Sequence, residues 1–173
     1  MKNSLSNTMM LAAISLTVAC GGMSRKEATA GFAATQTALT TGRMQTSGAL
    51  TPDGSAVNTG FNCLVGGLAA ITGSYTGNTV GAVTEYAYDL TYVFDGCNNG
   101  DVTLDGQLNN KGAAAMDDTT VDMSMDFVGT LSFSGEVEGD CEFDLHMAFS
   151  NAGTLPTATF TGTVCGYDVA KLD

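Results

Sequence analysis

From about residue 61 the chain alternates apolar and polar residues with a period of two, and it holds that alternation almost to its end. Tyr86, Tyr88, Leu90, Tyr92 and Phe94 fall on one parity; Glu85, Asp89, Thr91 and Asp95 fall on the other. Val102, Leu104 and Leu108 alternate with Thr103, Asp105 and Gln107. Val121, Met123, Met125, Phe127, Leu131, Phe133 and Val137 keep one parity through Gly129 and Gly135. Cys141, Phe143, Leu145, Met147 and Phe149 alternate with Glu142, Asp144 and His146. Successive side chains of a strand point to opposite faces, so this pattern describes half-buried strands. One face is apolar and the other acidic or hydroxylic, as in antiparallel sheets solvated on one side.

The same pattern sets expectations for pairing. Asn98-Asn99-Gly100 reads as a three-residue hairpin loop that sets Phe94 opposite Leu104, Leu90 opposite Leu108 and Tyr92 opposite Gly106. Glu138-Gly139-Asp140 reads as a second loop, pairing Val137 with Cys141, Phe133 with Leu145, Leu131 with Met147 and Gly135 with Phe143. In both hairpins a glycine lies opposite an aromatic ring able to cover it. Farther on, apolar matching pairs Phe143 with Val164 and Met147 with Phe160. The run Val121 to Val137 would extend roughly 50 Å if straight, so it is expected to bend at Gly129 or Gly135.

Upstream, Ser24-Arg25-Lys26-Glu27 has the form of a capping box. Ala28, Phe32, Thr35 and Leu39 follow at helical spacing, and Gly42 is placed to stop a helix over about 25–41. Its sparse stripe suits docking on a sheet. Residues 43–60, with Pro52-Asp53-Gly54, read as a linker. The expected fold is mainly β: a single antiparallel meander of about seven strands, strongly twisted or curled into a half-barrel or sandwich-like form, with one N-terminal helix. The expected organisation is a signal peptide at 1–19, an anchor, helix and linker at 20–60, and the β domain at 61–173.

The first twenty residues carry a separate message. Lys2 precedes an uncharged, mostly apolar run from Met9 to Val18, closed by Ala19-Cys20-Gly21. That is the form of a secretory signal, shorter than the roughly 20 apolar residues a membrane span needs. Leu16-Thr17-Val18-Ala19-Cys20 resembles the lipobox of bacterial lipoproteins, with the aliphatic Leu16 one position earlier than in the usual pattern. The resemblance implies that Cys20 is lipidated on sulfur, with palmitate as one of its acyl chains, and becomes the anchored N-terminus. Gly21 after the Cys implies sorting to the outer membrane. The alternative is plain cleavage after Ala19, because Thr17-Val18-Ala19 is also small-x-small.

Four cysteines remain once Cys20 is set aside: Cys63, Cys97, Cys141 and Cys165. An even set in an exported chain reads as two disulfides. Cys63 and Cys97 are symmetric about Val80, and Cys141 and Cys165 about Gly153, so each pair can staple the open end of its own hairpin, the favoured one of three possible connectivities. Apolar matching of Ile71 with Tyr88 sets Cys63 opposite Gly96, and that of Phe143 with Val164 sets Cys141 opposite Gly166, so each pair is one residue out of step and calls for a bulge near the strand end.

The formal net charge of the 173-residue chain is −12. That charge opposes binding to nucleic acid and to anionic headgroups. The spacing of cysteines and the single His146 give no zinc pattern. Asp95-Gly96-Cys97-Asn98-Asn99-Gly100-Asp101 departs from a calcium loop at Cys97 and lacks the terminal Glu, so it reads as a turn. Asp122 with Asp126, and Glu136 with Glu138 and Asp144, read as a solvated face, and no cofactor, metal or catalytic residue is expected. Tyr86, Tyr88, Tyr92, Phe94, Met123, Met125, Phe127, Phe133, Phe143 and Met147 are either core or the lining of a ligand cavity.

Three functional expectations follow. One is a non-enzymatic, lipid-anchored envelope protein that is structural or binds a protein partner. Another is a carrier or sensor of an apolar ligand held on the concave face. The third is a carboxylate-based, carbohydrate-active enzyme.

Overall fold

A computed structural model describes residues 22–153 and 155–172. The signal segment 1–19, Cys20 and Gly21 lie outside the described residues. Helix α1 (Arg25–Thr46) precedes strands β1 (Asp53–Asn62), β2 (Gly66–Val80), β3 (Val83–Asn98), β4 (Val102–Met116), β5 (Val121–Gly135), β6 (Gly139–Ser150), β7 (Thr157–Val164) and β8 (Tyr167–Asp168). A 3-10 turn, Val169–Lys171, follows. The strands pair in chain order in one antiparallel sheet that is not closed. The expected meander is present with eight strands, and the helix is the layer that covers it.

The capping box starts α1 where expected. The Glu27 N–H donates to Ser24 Oγ at 3.3 Å, and the Ser24 N–H donates to Glu27 Oε2 at 2.7 Å. The helix does not stop at Gly42 but runs on to Thr46. Its buried stripe is Ala28, Gly31, Thr35, Ala38, Gly42 and Thr46, all small, with Phe32 and Leu39 only partly covered. The large groups come from the sheet. A Cβ at Gly42 would lie 2.5 Å from the ring of Phe61, and one at Gly31 would lie 3.2 Å from Phe133. Gly42 therefore stays inside the helix because a ring occupies the space its side chain would fill. The hydroxyls of buried Thr35 and Thr46 donate to the carbonyls of Gly31 and Gly42, so both are satisfied.

The segment read as a linker, 43–60, contains the end of α1 and most of β1. Its polar, glycine-rich strand carries only Val57 and Phe61 as buried residues, too few to show an alternation.

Parity holds along β2, along β3 as far as Phe94 and along β4–β6, but three expected registers do not. Ile71 faces Tyr92 and not Tyr88. Phe94 faces Gly106 and Tyr92 faces Leu108, two residues from the expected pairing. The β3–β4 turn runs through Asn99–Val102, and a bulge lies between Phe94 and Cys97. The bulge switches parity, so that Phe94 and Cys97 both point inward. In the next hairpin Phe133 faces Gly139 and Leu131 faces Cys141, six residues from expectation. The loop there spans 134–138, and Val137 is buried from within it. Alternation specifies which face a residue takes, but sliding by an even number preserves it, so turn geometry decides the register. The glycine–aromatic pairing recurs with other partners, Gly106 with Phe94 and Gly129 with Phe143. The β6–β7 register is the expected one: Phe143 faces Val164 and Met147 faces Phe160.

The strand β5 spans 121–135, and two glycines allow neighbouring backbones to close in. Gly129 has φ +156° and a Cβ there would lie 2.3 Å from the Gln107 carbonyl oxygen. Gly106 has φ +118° and a Cβ there would lie 2.6 Å from the Thr130 oxygen. Neither position admits a side chain without opening the sheet.

The bridges are Cys63–Cys97 and Cys141–Cys165, with Cα separations of 5.3 and 4.3 Å. Cys63 lies in the turn between β1 and β2, where its N–H donates to the Gly67 carbonyl, and the bulge between Phe94 and Cys97 leaves Cys97 buried on the same side. In the second pair no bulge is used. Cys165 and Gly166, both with positive φ, form a two-residue turn between Val164 and Tyr167.

Candidate functional site

Where α1 lies on the sheet determines what remains open. Arg25 at its start stacks on the Tyr167 ring of β8, 5.6 Å from the centroid. Gln45 near its end exchanges hydrogen bonds with the backbone of Asn62 on β1. Roughly 30 Å of helix thus spans a sheet about 34 Å wide at the usual strand spacing. The rings it rests on, Phe61, Phe133 and Phe143, all belong to the end of the sheet that carries the disulfides. The opposite end, with turns near 80–83 and 116–121, extends beyond the helix.

Burial follows this division. Along β3, Leu90, Tyr92 and Phe94 are buried, whereas Tyr86 and Tyr88 are half-buried. Along β5, Phe127, Leu131 and Phe133 are buried, whereas Met123 and Met125 are not. Along β6, Cys141, Phe143 and Leu145 are buried and Met147 is half-buried. The residues expected to be either core or lining therefore divide between the two roles. Phe94, Phe133 and Phe143 pack in the core. Tyr86, Tyr88, Tyr92, Met123, Met125, Phe127 and Met147 line a groove of about 610 Å³ between the sheet and the C-terminal half of α1.

The rest of the wall comes from residues the alternation did not single out. Leu39, Arg43 and Leu50 form the helix side, and Tyr75 and Asn110 join the sheet side. Tyr75 packs on Tyr86 at 5.9 Å and edge-on to Tyr88 at 6.4 Å, which fixes three rings at the mouth. Asn110 stands on the inward parity of β4, after Leu104 and Leu108, and a polar residue there was the legible signal. Its Oδ1 is buried without a hydrogen-bond partner. Burial pushes the hydroxyls of Tyr75, Tyr88 and Tyr92 above the usual tyrosine range, and the Arg43 guanidinium pulls each of them back. The groove offers aromatic and thioether surface with a few polar atoms, the composition of small-molecule sites.

The outer face presents less. A concavity of about 670 Å³ at the same end is lined by small side chains such as Ala87, Ala113, Ala115 and Ala148, and opens broadly to solvent. His146 Nδ1 lies 2.6 Å from Asp126 Oδ1, with both side chains about half exposed. Asp105 accepts from the Gly96 N–H and Asn98 from the Gly100 N–H, so the 95–101 segment is a hydrogen-bonded turn. Among the described residues no group of three His, Cys, Asp or Glu side chains could hold a metal ion. None of their helices is long and apolar enough to cross a membrane.

No family model matches the chain, and neither a curated protein nor a solved structure is significantly similar to it.

Proposed function

We propose that this protein is a non-enzymatic, lipid-anchored envelope protein that carries or senses a small apolar ligand in the groove between α1 and the sheet. The observation that carries the reading is the partial cover: the helix fills one half of the inner face and leaves about 610 Å³ of Tyr- and Met-lined space over the other. Methionine makes such a wall adaptable to ligand shape. The two disulfides fit a protein that folds in an oxidising compartment. The anchor rests on the lipobox-like segment ending at Cys20. Residues 22–24 then lead from it directly into α1.

Two measurements test this reading. The first uses the neutral fluorophore N-phenyl-1-naphthylamine, which brightens in apolar surroundings. Met125→Trp, which fills the groove, is expected to weaken its binding about tenfold or more. Val128→Trp, on the exposed outer face beside it, is expected to leave binding unchanged. No binding to the wild type, or equal effects of the two substitutions, would overturn the ligand reading. The second is palmitate labelling, expected in the wild type and lost in Cys20→Ala; label retained by the variant would refute the anchor.

A second reading, binding of a protein partner, draws on one observation. Strand β7 (Thr157–Val164), an open edge except where Thr163 and Val164 pair with β8, is exposed over nearly its whole length and carries no charge, in a chain of net charge −12. Such an edge lacks the charges that normally block strand addition.

A further inference from the structure

The groove contains one formal charge. Of the residues that line it none is Asp or Glu, although the chain has 18 of them; the single charged group is Arg43. The acids of the surrounding strands, Glu85, Asp89, Asp122 and Asp126, alternate with the lining residues and point to the outer face. Arg43 makes no ion pair among the described residues, where the pairs are His146–Asp126 and Lys171–Asp168. In a chain with three acids to every base, an arginine that lines an apolar groove and forms no ion pair among the described residues is open to an anion. Thr40, about one turn earlier on the helix, adds a hydroxyl donor to the same wall, whereas the Ser47 hydroxyl donates to the Met44 carbonyl. The sheet side holds Met123, Met125 and Met147, with no polar group on these side chains beyond a thioether.

Building on the groove as a ligand site, we propose that its ligand is an anionic amphiphile. The apolar tail lies against the Met and Tyr wall, and a carboxylate or phosphate headgroup pairs with the Arg43 guanidinium at the mouth. Guanidinium forks match both oxyanions in bidentate geometry. The overall negative charge repels anions at long range, so a preference for them can only be local.

The test is displacement of bound N-phenyl-1-naphthylamine by dodecanoate, dodecyl phosphate and dodecan-1-ol, which share one chain length. The wild type is expected to prefer at least one anion over the alcohol by about tenfold (1.4 kcal/mol). The tighter of the two anions identifies the headgroup as carboxylate or phosphate, and either result supports the proposal. Arg43→Gln is expected to bring the anion-to-alcohol ratio to about one, and Arg43→Lys to keep part of it. Equal binding of anions and alcohol by the wild type, or a ratio unmoved by Arg43→Gln, would overturn the proposal while leaving an apolar groove. Failure of the fluorophore and all three amphiphiles to bind would overturn the groove reading along with it.

Discussion

Gly42 sits inside a helix, where glycine costs about 1 kcal/mol relative to alanine. The Phe61 ring explains its presence, since a Cβ there would lie 2.5 Å from a buried ring atom. Overpacking of this kind costs roughly 1–3 kcal/mol, more than the propensity gain returns. Gly42→Ala is therefore expected to destabilise the protein in urea unfolding by about 1 kcal/mol or more. Adding Phe61→Leu should recover part of that loss, a positive coupling between the two sites. Stabilisation by Gly42→Ala alone would show that the ring yields freely. Glycine as a helix stop is the ordinary reading of this residue, and only the identity of its neighbour across the sheet reverses it. Phe61 lies 19 positions away, on a strand whose polar composition hides it.

The elements were legible to different degrees, and the reasons differ. Strands β3–β6 were readable because each buries one face and exposes the other, so composition alternates with geometry. Edge strand β1 was not, because an edge with few buried positions needs few apolar residues. The start of α1 was readable because a capping box is a local hydrogen-bond device. Its docking face was not, because the stripe is made of residues too small to register as hydrophobic: Ala28, Gly31, Thr35, Ala38, Gly42 and Thr46. Register was legible for β6–β7, where Phe143, Met147, Val164 and Phe160 match in one arrangement. It failed for β5–β6, where apolar residues recur at every second position and several alignments serve equally well.

At the scale of the molecule, both disulfides sit at the end of the sheet that α1 covers, and the groove lies at the other. Cys63–Cys97 spans 34 residues and Cys141–Cys165 spans 24. In the chain-entropy model, closing loops of that size is worth roughly 3–4 kcal/mol each. Replacing Cys63 and Cys97 by serine is expected to lower stability by about that amount in urea unfolding. Fluorophore binding, measured where the variant stays folded, is expected to be unchanged, because neither cysteine lines the groove. A loss under about 1 kcal/mol would show that the bridge constrains the unfolded chain little. A loss of binding would show that the two ends of the sheet are coupled.

The sequence by itself determined the class of fold, the face taken by most residues of β3–β6 and the cap that begins the helix, and it favoured one of three pairings of the four cysteines, which the structure then decided. These are local or count-based properties: side-chain period, neighbouring hydrogen bonds and parity of spacing. It also carried the lipobox-like resemblance at Cys20, which belongs to the linear chain. Only the tertiary structure decided which of the inward-facing aromatics and methionines became core and which became groove. All share one face and one alternation, so nothing along the strand separates Phe133 from Met125. The separation comes from the helix, whose length lets it cross the sheet once and whose small stripe seats it on the phenylalanines of one end. What it leaves uncovered, with Arg43 as its one charge, is the groove proposed as the site.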